Sequence, residues 1–170
     1  SPIAIFYSQE SCQISLLLKY CSSLDYYKEF KDNLSEWNQN LRDIGYNPRF
    51  VSAAQIKDDI LQKGKYKALI LPCSLVIDTK TAVMIENFVK NGGLLIADVQ
   101  TGLYDEYGEK RKEGALDKLF HIKRVEDSGL MQSDAKYVTE KGQLNAGMQE
   151  KGISLSNAKC IASAKNNEIE

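Results

Sequence analysis

The sequence predicts an α/β fold: three layers, α/β/α, built on a mainly parallel sheet, with short strands added towards the C-terminus. Three observations lead there. Short apolar runs such as Pro2 to Ser8 and Ala68 to Leu71 have the composition of strands buried on both faces. Between them lie segments whose apolar residues recur every three or four positions, the signature of helices with one buried face. The two kinds of segment alternate, and right-handed crossovers between parallel strands place such helices on both sides of one sheet.

The elements follow in order. Pro2 to Ser8 reads as the first strand, and Ser11 to Tyr20 as a helix. Ser22 or Ser23 is placed to cap a stronger helix carrying Tyr27, Phe30, Leu34, Trp37, Leu41 and Ile44, which Gly45 terminates. Pro48 to Val51 is a second strand, and Ser52-Ala53-Ala54-Gln55 is a capping box opening a helix with Ile56 and Ile60 on one face, closed by Gly64. Tyr66 to Leu71 is the third strand. Asp78 caps a helix that turns Ala82, Ile85, Phe88 and Val89 inward, and Asn91-Gly92-Gly93 stops it before the fourth strand, Leu94 to Asp98. This flavodoxin-like alternation lapses into a polar loop from Val99 to Gly114, followed by a short helix, Ala115 to Phe120. Beyond Val125, Lys136 to Thr139, Ile153 to Leu155 and Lys159 to Ala164 read as short strands, with turns at Gly142 and Gly152. No repeat or linker divides the 170 residues, so one domain is expected, and the terminal Asn166-Asn167-Glu168-Ile169-Glu170 reads as a cut from a longer chain.

Composition excludes several functions. Twenty-two Lys and Arg against 23 Asp and Glu leave a net charge of -1, so no overall field gathers a nucleic acid or an acidic membrane. The apolar runs are too short to span a bilayer, and the N-terminus carries no basic-then-apolar signal pattern. The compartment stays open. Cys12, Cys21, Cys73 and Cys160 have neither zinc-site nor disulfide-scaffold spacing, and His121 is the only histidine, so no metal or other cofactor is expected.

Ligands of open α/β sheets bind beyond the carboxyl ends of the strands. At those positions stand Ser8, Gln9, Glu10, Cys73, Gln100 and Thr101, the candidate ligand-binding residues. The first turn, Ser8-Gln9-Glu10-Ser11, lacks the glycines of a phosphate cradle and carries an acid that repels anions, so a neutral sugar suits Ser8, Gln9 and Ser11 better than a nucleotide, and capping of the following helix is their preferred use. Cys73 is a candidate nucleophile, but a working thiolate needs a base, and only His121 is available. Asp98, Asp105, Glu106 and Glu109 are candidates for a carboxylate pair, although their mixture with Lys and Arg also describes a solvated turn.

Three segments carry a resemblance: Tyr7-Ser8-Gln9-Glu10-Ser11; Tyr66 to Pro72; and Phe88 to Asp98 leading to Thr101-Gly102. Together they resemble the trimerisation domain of glycoside hydrolase family 42 β-galactosidases. The resemblance runs from the first strand to Phe120 and implies a relative of the class I glutamine amidotransferase fold that has lost its nucleophile elbow. The elbow's place holds Val99, Gln100 and Thr101, with no cysteine. It further implies a non-catalytic assembly role. Other subunits of the same protein and its own preceding barrel, which holds the catalytic glutamates, would then be the partners. Two other readings remain at this stage: a carbohydrate-binding or sensing module at the strand ends, and a Cys-dependent hydrolase using Cys73 with His121.

Overall fold

A computed structural model describes residues 1–22, 24–132, 136–139, 142–145, 148–158 and 163–165. Strands β1 (Ile3–Tyr7), β2 (Arg49–Ser52), β3 (Ala68–Leu71) and β4 (Leu94–Ala97) form a parallel sheet in the order β2-β1-β3-β4. The register pairs Ile5 with Phe50 and with Ile70, and Leu69 with Leu95. Because side chains alternate across a strand, β1 sends Ala4 and Phe6 to one face and Ile3 and Ile5 to the other. Both faces are covered.

On the first face Ala4, Phe6, Val51, Leu69 and Leu71 meet α3 (Ala53–Lys57), α4 (Ile60–Lys63), α5 (Thr79–Lys90) and α6 (Asp117–Phe120). On the second, Ile3, Ile5 and Ile70 meet Leu34, Trp37 and Leu41 of α2 (Tyr26–Asp43). Local signals set many of the boundaries. Ser52 and Gln55 make both bonds of the capping box, Asp78 accepts the Thr81 N–H, and Gly45 and Gly92 take φ of +90° and +89° at the stops they were assigned.

Several expectations need correction. Asp25 caps α2, its carboxylate accepting the Lys28 N–H, where Ser22 or Ser23 was expected; Ser23 lies outside the described residues. Ile56 and Ile60 sit on two helices, because Asp59 turns left-handed at φ +66° and breaks the run. The segment after Leu103 returns to the body of the fold, with Tyr104 bridging Val76 and Lys110. Finally, Ile153 to Leu155 is the end of a longer strand. β8 (Met148–Leu155) pairs antiparallel with β5 (Ile122–Gln132), and Gly152, at φ +77°, lies within the strand at the register shift.

The last sheet is β7-β6-β9, with β6 at Lys136–Thr139, β7 at Gly142–Asn145 and β9 at Ser163–Lys165. Lys136 to Thr139 is a strand as expected. Gly142 begins a strand rather than a turn. The expected strand from Lys159 reaches the described residues only at Ser163 and Ala164.

One departure from simple alternation concerns the crossover from β1 to β2, which contains two helices. α2 covers the sheet, whereas α1 (Gln9–Cys21) packs on α2 and on the turns at the strand ends through Cys12, Ile14 and Leu18.

Candidate functional site

At the end of β1, Ser8 caps α1: its hydroxyl oxygen accepts the Ser11 N–H at 2.9 Å. The Ser11 hydroxyl in turn accepts the Val76 N–H at 2.9 Å and lies 2.8 Å from the Ser8 hydroxyl. These polar groups are therefore committed to one another and to the chain after β3. Ser8 is buried, while Gln9 and Glu10 are exposed, Gln9 accepting the Tyr7 hydroxyl. The cleft bounded by Ser8, Glu10, Val76, Asp78 and Glu106 has a volume of about 10 Å³. That is the room of about one water molecule.

Cys73 is fully buried, with φ at +39°, and its N–H donates to Asp98 Oδ1 at 2.7 Å. Burial pushes its thiol well above the ordinary cysteine range, and the Asp98 carboxylate adds to the effect. A neutral, enclosed thiol is a poor nucleophile. His121 stands exposed at the C-cap of α6 in a left-handed conformation, its carbonyl accepting from Ser156. Its side chain has no bond to Cys73.

Asp98 sits where β4 ends. Besides the Cys73 N–H it accepts Trp37 Nε1 at 3.3 Å, the Asn33 side chain and the Val99 N–H. Burial pushes its pKa up to about 6 against the pull of these donors. One carboxylate thus joins β4, the β3 turn and α2. The other acids have local work: Asp105 accepts the N–H groups of Tyr107 and Glu109 within its own turn, and Glu106 lies 3.8 Å from Arg111.

Gln100 and Thr101 are both buried, and Gln100 has φ at +54°. The Gln100 N–H donates to Glu150 Oε2 at 2.6 Å, and its carboxamide donates to the Tyr26 hydroxyl, which also accepts the Leu130 N–H. Of the six candidate positions, Ser8, Cys73, Gln100 and Thr101 are inside the fold and Gln9 and Glu10 are outside it; they do not frame a common opening.

Two groups that sequence reasoning passed over close the strand ends. Arg111, within the polar loop from Val99 to Gly114, donates through Nη1 to the carbonyls of Ile77 and Tyr104 at 2.8 Å and of Gly102 at 3.2 Å. Arg124, on β5, donates through Nε to both Asp117 oxygens, at 3.0 and 2.9 Å, and through Nη1 to Glu150 on β8. All three side chains of this cluster are at most 5% exposed. Asp117 also accepts the Gly114 N–H at 2.7 Å. No local pattern announces either arginine, since its partners are carbonyls or acids brought together only by the fold.

Among the described residues no group of His, Cys, Asp and Glu is arranged to hold a metal, and no helix is long and apolar enough to cross a membrane. The protein is thus an α/β domain whose strand ends are filled by its own side chains. Its sequence matches the β-galactosidase trimerisation domain family over residues 2–169, and the chain belongs to that family.

Solved structures agree on the fold. Gan42B, a GH42 β-galactosidase from G. stearothermophilus, superposes with a TM-score of 0.78 at 16% identity, covering 99% of this chain and 24% of that one. The β-galactosidase of Bacillus circulans sp. alkalophilus gives 0.77 at 19% identity, covering 96% and 24%. That of the haloarchaeon Halorubrum lacusprofundi gives 0.74 at 14%, covering 96% and 24%. The chain spans about a quarter of the length of each of these three. A search of curated proteins gave no match.

Proposed function

We propose that this chain is the assembly module of a larger β-galactosidase, joining copies of the protein to one another beside a catalytic barrel on the same polypeptide. The observation that carries the reading is the family match across nearly the whole chain. The chemistry of the strand ends accords with it. Cys73 is buried and neutral, His121 is exposed and unconnected to it, and the nearby acids are spent on turns and caps. An enclosed thiol and a committed carboxylate position the backbone; neither is presented to a substrate.

Two measurements test this. Sedimentation of the 170-residue chain should show a species of three chains, and a chain that stays monomeric at all concentrations would refute the assembly role. Incubated with a chromogenic galactoside, the chain should give no turnover above buffer. Turnover that is lost on Cys73→Ala would establish a hydrolytic site and overturn the reading.

A further inference from the structure

Helix α1 is amphipathic in the wrong sense for a surface helix. Its fully buried side chains are the small, polar Ser11 and Ser15, with Cys12, Ile14 and Leu18 partly buried beside them. On the opposite side, Gln9, Gln13, Leu16, Leu17 and Tyr20 are exposed; at 3.6 residues per turn they share one stripe. Leu16, Leu17 and Tyr20 are 42%, 62% and 78% exposed. The only cation among the last residues of the helix, Lys19, pairs with Asp25 at 3.4 Å, on the side towards α2. Midway along α1, Gly108 abuts Ile14, which brings the loop bearing Tyr107, 86% exposed, alongside.

We infer that this outer face of α1 is the surface by which one copy of the chain docks on another. The inference rests on the assembly role proposed above and names the part of the molecule that performs it. A second copy is the occupant because the family to which the chain belongs is defined by trimerisation, and the composition fits. Tyrosine and leucine occupy the centre of the stripe, charge is absent from that centre, and glutamines lie along it, the make-up of an interface core with a polar border. The exposed apolar area of three such side chains is on the order of a few hundred Å², the size at which a patch marks an interaction surface. It supplies the desolvated centre of a contact that buries roughly 800 Å² per partner, with neighbouring turns forming the rest. α1 is also the element that the sheet does not require, since α2 alone covers this face. Its hydrogen-bonded serine face fixes it to the strand ends and holds the apolar stripe rigidly outward.

In a cyclic trimer the contact is heterologous, so each chain contributes one α1 face and every interface uses one. A single substitution therefore removes all three contacts. Leu17→Arg and Tyr20→Glu, examined separately by sedimentation at several concentrations, should each leave a monomer, or raise the concentration at half-assembly on the order of 30-fold or more. Leu17→Met should assemble as the unsubstituted chain does. Both charged variants alter exposed side chains, so their circular dichroism and thermal midpoints as monomers should report an intact fold. If the unsubstituted chain forms trimers and both charged variants form them equally well, α1 is not the contact, while the assembly role stands. If the unsubstituted chain is monomeric throughout, the assembly role itself fails and this inference fails with it.

Discussion

Asp98 shows how one residue sets a local energy balance. Its carboxyl is pushed up to about 6 in the folded chain, while an unfolded aspartate titrates near the ordinary value of about 4. Between those pH values the native state holds a proton that the unfolded chain has released, so the contribution of Asp98 to stability falls as pH rises through this window and is flat on either side. The span corresponds to about 2–3 kcal/mol. Asp78, lowered by its Thr81 and Lys57 bonds, titrates in the opposite sense, but it is common to wild type and variant. Urea titrations of Asp98→Asn and wild type should therefore give a stability difference that moves in favour of the variant from pH 4 to pH 7. A difference that does not change with pH would show that Asp98 titrates in the folded chain as it does in the unfolded one. The position of Asp98 at the end of the fourth strand was legible from the apolar run before it. Its partners were not, because Trp37 and Asn33 lie more than sixty residues earlier.

At the scale of elements, legibility followed the range of the signal. Ser52 with Gln55, Asp78, Gly45 and Gly92 act within four residues of themselves and could be read directly. Cys21-Ser22-Ser23-Leu24-Asp25 offers three capping side chains within four residues, and Asp25 caps the helix that carries Tyr26 into contact with Gln100 and Leu130. Local sequence does not rank the three. β5 was not legible because Lys123, Arg124, Glu126 and Asp127 interrupt any apolar run, whereas its strand identity comes from β8, about thirty residues on. The buried Arg124 cluster attaches this ribbon to the core through Asp117 and the Gln100 backbone. Removing one member of such a cluster strands the remaining charges without solvent. Arg124→Ala should cost about 3–5 kcal/mol in urea or thermal unfolding. A loss below about 1 kcal/mol would mean that water reaches the two acids.

For the whole molecule, the candidate site was legible only as a location. The strand-end positions could be named from topology, but whether their side chains face a cleft or one another depends on α1, Arg111 and the β5–β8 ribbon, which arrive from distant parts of the chain. Assembly adds a further consequence at this scale. If the apolar face of α1 is covered only in the trimer, association draws on the same free energy as folding, and the thermal midpoint should rise with protein concentration by mass action. Calorimetry across a hundredfold range of concentration reads this directly; a midpoint independent of concentration would separate the two processes. The ribbon latch has its own implication. Glu150 reaches both Arg124 and Gln100 from the far side of the β6–β7 hairpin, so the polypeptide is cross-tied without a covalent bond. A break in the backbone between Gln132 and Met148 should therefore leave two fragments that elute as one particle in gel filtration; fragments that separate would show that this latch does not hold them.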